Sequence, residues 1–232
     1  MILSLYKGLK KKIKLFIIHR KYKSLSIIEV FNKIYKENAW DKNSINFNSG
    51  PGSHNQDLVI PYFEFVNSFI KKTNINSILD LGCGDFNIGK NISQNVKKYI
   101  GIDIVHDLIE INKKKFNNDI IHFECKDFIE ESLPKAECII IRQVMQHLDN
   151  KSIFKILNKI SDFKYVVITE HIPKNKFIAN VDKSIGPTTR LEFNSGIEIE
   201  SKPFNFLFKE KKEISIDDNE LGGRHKTVIY TL

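Results

Sequence analysis

Long apolar runs are missing from this 232-residue chain. None approaches the roughly 20 residues that span a bilayer, so no crossing helix is expected. The opening Met1-Ile2-Leu3-Ser4-Leu5-Tyr6-Lys7 has neither a long apolar core nor a small-residue cleavage site, and makes a poor export signal. Cysteine is scarce. Cys83, Cys125 and Cys138 are odd in number and lack CxxC spacing. That pattern argues against a disulfide framework and a cysteine zinc site, and fits a reducing cytoplasm. Internal repeats are absent too. The hydrophobic fraction of 41% and charged fraction of 28% are globular values that argue against wholesale disorder.

Positive charge is lacking where a nucleic-acid groove would need it. The chain carries +8 overall, yet residues 1–36 alone hold ten Lys or Arg against Glu29, a net +9, which leaves −1 for residues 37–232. No nucleic-acid partner is therefore expected. The basic arm, residues 1–36, places Leu9, Ile13, Phe16 and Ile17 at helical spacing with lysines between them. Two readings follow. One is a helix lying on an anionic membrane surface, at the inner face of the membrane. The other is an arm packed on its own domain or on a second subunit. Oligomeric state is not set by the sequence.

What is present begins with a loop-like stretch, 38–56, rich in Asn, Ser and Gly. Residues 57–72 return to helical spacing. From residue 76 short apolar strands alternate with helices: strands at 77–81, 99–103, 120–124, 138–141 and 165–169, helices at 87–96, 107–117 and near 150–161. Such alternation implies right-handed crossovers and a parallel sheet. Residues 171–203 break the rhythm with three prolines and read as a long functional insert. Phe204-Asn205-Phe206-Leu207-Phe208 and Thr227-Val228-Ile229-Tyr230 then read as two closing antiparallel strands. The predicted class is α/β, a doubly wound, seven-stranded, mostly parallel sheet with an N-terminal helical extension.

The first strand runs into Asp80-Leu81-Gly82-Cys83-Gly84-Asp85. Its glycines permit a sharp turn and close approach of a ligand to the backbone before a helix N-terminus. Asp103 ends the next strand, 21 residues after Gly82, near the spacing of about 20 at which an acid grips ribose hydroxyls. Asp127 and Phe128 follow the third strand, where an acid and a ring can hold an adenine. A dinucleotide fingerprint would need glycine where Asn87 stands, so an adenosyl cofactor is favoured over a nicotinamide one.

With these residues in view, residues 31–232 resemble the class I S-adenosylmethionine-dependent methyltransferases. They are most similar to a bacterial small-molecule subgroup associated with surface-polysaccharide genes. The resemblance rests on Phe31-Asn32-Lys33-Ile34-Tyr35, Trp40, Ser49-Gly50-Pro51-Gly52-Ser53, Asp80 to Phe86, Ile141-Arg142-Gln143-Val144-Met145-Gln146-His147-Leu148 and Pro203-Phe204-Asn205-Phe206. It implies a Rossmann-like methyltransferase domain over 37–232 and S-adenosyl-L-methionine as cofactor. It implies O-methylation of a sugar, with Trp40 and Ser49 in a lid over the cofactor. N-methylation of an amine or amino sugar and a noncatalytic adenosyl-binding role stay open. Phe86 replaces a third glycine, and Gln143 replaces an acid common after the Arg.

Asp80, Gly82, Gly84, Asp85, Asp103, Asp127, Phe128, Arg142, Trp40 and Ser49 are thus the expected cofactor residues, Arg142 suiting a carboxylate. His147 is the first candidate base, with Glu170 and His171 as rivals at the end of the fifth strand. Asp85 also reads as a plain helix cap. Asn180, Asp182, Arg190 and Glu192 in the insert are candidate contacts to a polar acceptor. His122 and His225 read as structural. Asp149, His171 and Asp182 could converge on a divalent ion, but no spacing is diagnostic and no metal is predicted.

Overall fold

The computed structural model describes residues 2–41 and 47–232, apart from the side chains of residues 2–5 and 7. The arm folds as two helices, α1 (Ile2–Tyr22) and α2 (Ile27–Lys36). A capping box starts α2: the Glu29 amide donates to Ser26 Oγ, and the Ser26 amide donates to the Glu29 carboxylate. One short turn, α3 (Pro51–His54), interrupts the stretch read as loop, and α4 (Gln56–Thr73) follows.

Alternation then proceeds as the apolar runs predict. The elements are β1 (Ser77–Leu81), α5 (Gly89–Ile92), β2 (Lys98–Asp103), α6 (His106–Phe116), β3 (Ile121–Cys125), β4 (Cys138–Arg142), α7 (Asn150–Ile160) and β5 (Tyr165–Ile172). Only part of the predicted 87–96 helix is α-helical, because Asn87, Gly89, Asn91 and Asn95 are weak helix formers. A two-residue ribbon, β6 (Ile178–Ala179) with β7 (Ser195–Gly196), lies inside the insert; β8 (Glu210–Asp217) and β9 (Arg224–Thr231) close the chain.

The seven-stranded sheet runs β3-β2-β1-β4-β5-β9-β8. β1 to β5 are parallel, and β9 and β8 join antiparallel. Side chains alternate across it. Leu79, Leu81, Ile139, Ile141, Val166 and Ile168 meet Ile153, Ile156 and Ile160 of α7 on one face. Ile78, Ile140 and Val167 meet Val59, Val66 and Ile70 of α4 on the other. Strand order reverses between β1 and β4, which opens a crevice at the carboxyl ends of the strands.

The predicted strand at 204–208 is corrected. Phe204 and Phe206 instead pack their rings on Phe154 and Tyr230 in an irregular segment. The strand lies one step later, at Glu210–Asp217, an edge strand whose first four residues are all exposed and hence lack an apolar signature.

The insert is a packed structure, and two candidate acceptor contacts in it are corrected. Arg190 is fully buried. Its Nη1 donates to the carbonyls of Met145 at 3.2 Å and Leu148 at 2.9 Å, and its Nη2 to Asn150 Oδ1 at 2.7 Å. Asn180 is buried as well, donating to the Glu198 and Lys202 carbonyls and accepting from the Glu198 amide. Asp182 accepts from the Asn150 amide, and Glu192 pairs with Lys11 of the arm. Arg190 and Asp182 bind the insert to the domain and Asn180 braces it from within, while the Glu192–Lys11 pair is half exposed.

Candidate active site

The crevice is a cavity that crosses the carboxyl ends of β1 to β5. One end is built by β1, β2 and β3 and lined by Asp80, Gly82, Gly84, Asp103, Asp127 and Phe128. Gly82 (φ 74°) and Gly84 (φ 56°) turn in the left-handed region. A Cβ on Gly84 would stand 2.2 Å from Ser49 Oγ, and one on Gly82 2.4 Å from Val144 Cγ2, so the loop accepts nothing larger at either position. Phe86 keeps the left-handed backbone (φ 65°) that the missing third glycine would take. Its ring is buried against Tyr99, Phe116 and Phe123, which offsets the backbone strain.

The amides of this loop are spent internally. Gly82 and Cys83 donate to the Ile102 carbonyl, Gly84 to Asp103 Oδ2, Asp85 to Ser49 Oγ and Asn87 to Asp85 Oδ1. The sequence pointed to a helix N-terminus offering amides to a ligand; the structure offers none of these five. A ligand with a pyrophosphate would find no amide cradle here, whereas a nucleoside without phosphate needs none. Asp103 accepts from the Gly84 and Val105 amides and keeps a lone pair on each oxygen for ribose hydroxyls. Burial pushes its pKa up to about 6. Asp80, also raised by burial to about 6, accepts from Tyr99 Oη.

A roof covers the loop. Ser49 to Ser53 line the cavity, and their contacts run to predicted cofactor residues. Asp85 accepts from the Ser49 amide at 2.9 Å and pairs with His54 at 2.7 Å. Burial alone would raise the Asp85 carboxyl, but His54 and the Ser49 and Asn87 amides outweigh it and lower its pKa. Asp85 is thus a latch for the roof. Arg142 donates to the Gly52 carbonyl at 2.8 Å and lies over the Tyr62 ring. Trp40 stands against His147, ring centroids 5.0 Å apart, and donates to the Pro187 carbonyl. It both walls the cavity and ties the arm to the insert.

His147 lines the cavity, buried, with Nδ1 donating to the Gly186 carbonyl and Nε2 beside the Gln146 amide. Burial, with Lys183 nearby, lowers its pKa to about 3, so the imidazole is neutral. Its folded pKa lies below its unfolded value, so its contribution to stability is complete above pH 6.5 and is lost as pH falls toward 3. Relative to a His147→Phe variant, the protein should lose about 1.4 kcal/mol per pH unit between pH 6 and 4. Urea unfolding at several pH values checks this, and parallel curves for the two proteins would contradict it.

Glu170 does not line this cavity, and its role as a base is corrected. Its two oxygens accept the Met145 and Gln146 amides, both at 3.0 Å, while burial pushes its pKa up to about 8. It positions the turn that carries His147. His171 does line the cavity, but not with Asp149 or Asp182, whose carboxylates accept amides of Ser152 and Asn150 around the start of α7. Its neighbours are Asp218, to which no motif points, and His225, which the sequence marks as structural. His171 and His225 are register partners on β5 and β9, ring centroids 4.5 Å apart, and His225 Nε2 lies 3.2 Å from Asp218 Oδ2. Gln143, in left-handed backbone (φ 57°), reaches His225 from the end of β4.

Two buried polar atoms lack partners among the described residues and belong to lining side chains, Arg142 Nε and Gln146 Oε1. A donor and an acceptor near the end of β4 fit the carboxylate and ammonium of a methionyl group, while Asp103, Asp127 and Phe128 fit an adenosyl group. The fold is that of the class I S-adenosylmethionine-dependent methyltransferases, and this donor set suits their cofactor.

The comparisons agree. Residues 78–163 match the family described as a methyltransferase domain, and the chain carries an S-adenosylmethionine-dependent methyltransferase domain. A Chlamydia muridarum protein named as an uncharacterized RNA methyltransferase is 28% identical over 126 residues, covering 51% of this chain. The chain spans 31% of that relative's length. Among solved structures, N-methyltransferase NodS from Bradyrhizobium japonicum WM9 with S-adenosyl-L-homocysteine aligns with a TM-score of 0.62 at 10% identity, covering 79% of this chain and 92% of that one. Magnesium protoporphyrin IX methyltransferase from Synechocystis PCC 6803 aligns at 0.57 and 11% identity, covering 90% and 99%. At such identities these two show the shared fold.

Proposed function

We propose that the protein transfers a methyl group from S-adenosylmethionine to a hydroxyl of a small polar acceptor, a sugar of a surface polysaccharide or its nucleotide-linked precursor. The observation that carries the reading is one cavity with two chemically distinct ends. Asp103 and the glycine loop suit a nucleoside at one end, and His171, His225 and Gln143 lie at the other. When bound, the cofactor supplies a methyl already activated on a sulfonium. The chain's own work is then alignment and removal of the acceptor proton. Asp103 orients the ribose, Arg142 and Gln146 the methionyl end, and Trp40 with His147 excludes water. The acceptor hydroxyl faces His171 and His225.

The sugar assignment is supported by the resemblance of the Ser49–Ser53 and Pro203–Phe206 segments to the polysaccharide-linked subgroup. An RNA acceptor, suggested by the name of the Chlamydia muridarum relative, is opposed by charge. Among the described residues, Asp80, Asp85, Asp103 and Asp127 line the cavity against Arg142 as its one Lys or Arg, which repels a phosphate backbone. Incubation with labelled methyl donor and a panel of nucleotide sugars, extracted glycans, amines and RNA tests the reading. Alkali-stable label on a glycan is expected. Label only on amines or RNA, or tight donor binding with no transfer, would replace it.

The arm supplies a location. Among the described residues no helix is long and apolar enough to cross a membrane. Ile18 and Tyr22 of α1 pack on α2, but Leu9, Ile13, Phe16 and Ile17 are 51–64% exposed, and their helical neighbours include Lys10, Lys12 and Lys14. That combination fits the interface of an anionic membrane. A Phe16→Ser/Ile17→Ser variant should bind phosphatidylserine vesicles at least tenfold more weakly in co-sedimentation. Equal binding by both proteins removes the membrane contact.

A further inference from the structure

The acceptor end of the cavity carries a group of side chains whose arrangement exceeds what binding a hydroxyl requires. His171, Asp218 and His225 are all buried, and one ligating atom of each lies within 4.8 Å of the other two. Asp218 Oδ2 stands 3.2 Å from His225 Nε2 and 3.8 Å from His171 Nε2. Metal–ligand bonds of about 2.0–2.1 Å in tetrahedral geometry place donor atoms roughly 3.3 Å apart. The Asp218–His171 edge closes by a few tenths of an ångström, and the two imidazole nitrogens, which lie within 4.8 Å of each other, swing together by side-chain rotation as an ion enters.

The sheet and a turn hold the three backbones in place. His171 and His225 face each other across the β5–β9 ladder. Asp218 follows β8, where its Oδ1 accepts the Glu220 and Leu221 amides, so that turn aims Oδ2 at the imidazoles. Gln143 lies along the edge of the His225 ring, its carboxamide nitrogen 2.9 Å from Nδ1 and 3.3 Å from Nε2. Turned about its terminal bond, the amide oxygen accepts an Nδ1 proton and leaves Nε2 free to ligate. His171 Nε2 now donates to the Gly222 carbonyl; ligation moves that proton to Nδ1.

We propose that His171, Asp218 and His225 form a divalent transition-metal site whose open position faces the cavity. Two imidazoles and one carboxylate select Zn²⁺, Co²⁺ or Fe²⁺ over Mg²⁺ and Ca²⁺, which take all-oxygen sets. Three protein ligands beside a cavity match a catalytic site, which keeps a coordination place open; a structural one closes it. His171, His225 and Leu221 line that cavity, so the open place meets the acceptor. The inference rests on the methyl-transfer reading only in naming the occupant of that place, an acceptor bearing a hydroxyl or two adjacent hydroxyls. The metal site itself stands on geometry.

Cobalt titration of the chelator-stripped full chain tests it, read by visible ligand-field absorption and competed with Zn²⁺. One Co²⁺ per chain with a tetrahedral or five-coordinate spectrum is expected. Asp218→Asn and His171→Gln should each weaken binding at least tenfold, whereas His122→Gln, at an exposed site on β3, should match the wild type. Circular dichroism establishes that each variant is folded, and either variant alone suffices. No ligand-field band, or equal affinity in all four proteins, overturns the proposal. Calorimetry of S-adenosylhomocysteine with the metal-free chain separates the two readings. Retained cofactor binding without a cobalt site sinks the metal alone, and lost cofactor binding with an intact cobalt site sinks the methyl-transfer reading alone.

Discussion

Replacing Asp103 by alanine should lower affinity for S-adenosylhomocysteine by two to three orders of magnitude in isothermal calorimetry. The carboxylate would make two charge-assisted hydrogen bonds to the ribose, each contributing about 1.5–3 kcal/mol. It also holds the Gly84 and Val105 amides, so its loss loosens the loop the nucleoside rests on. Asp103→Asn keeps the size and one acceptor oxygen and should lose about tenfold. Because Asp103 is buried, a folded Asp103→Ala protein with unchanged heat of binding would mean that the nucleoside does not sit at the end of β2.

The second large effect is on stability. Arg190→Met should cost about 3–5 kcal/mol, because it leaves two buried carbonyls and the Asn150 side chain without their donor, at about 1–3 kcal/mol each. The guanidinium satisfies the carbonyls of Met145 and Leu148 and the side chain of Asn150. It also lowers the pKa of the buried Glu170, which clamps the same turn from the other side. Removing it leaves carbonyls unpaired and Glu170 without its nearby cation. Urea unfolding should show an earlier midpoint with an unchanged slope. A midpoint within experimental error of the wild type would mean that the insert contributes little to holding the turn of His147.

The parallel half of the fold was legible because its signal is local. Ile78, Leu79 and Leu81, or Ile139 to Ile141, are short apolar runs buried on both faces, and Asp103 announces itself by ending one of them. The antiparallel edge was not, since β8 reads Glu210-Lys211-Lys212-Glu213 and carries no apolar alternation. The same pairing hid half of the acceptor end. His225 meets His171 only through the β5–β9 register, and Asp218 only through the turn between β8 and β9. Neither spacing can be read along the chain. Arg190 escaped for a similar reason: its partners are backbone carbonyls, which no side-chain motif reports.

The stretch from Ser49 to His54 has a bearing on speed. It is clasped to the glycine loop and β4 by Asp85 through Ser49 and His54, by Asn87 through Ser53 and by Arg142 through Gly52. A donor exchanging on that side would have to open several of these bonds together, and exchange would then set the pace of turnover ahead of methyl transfer.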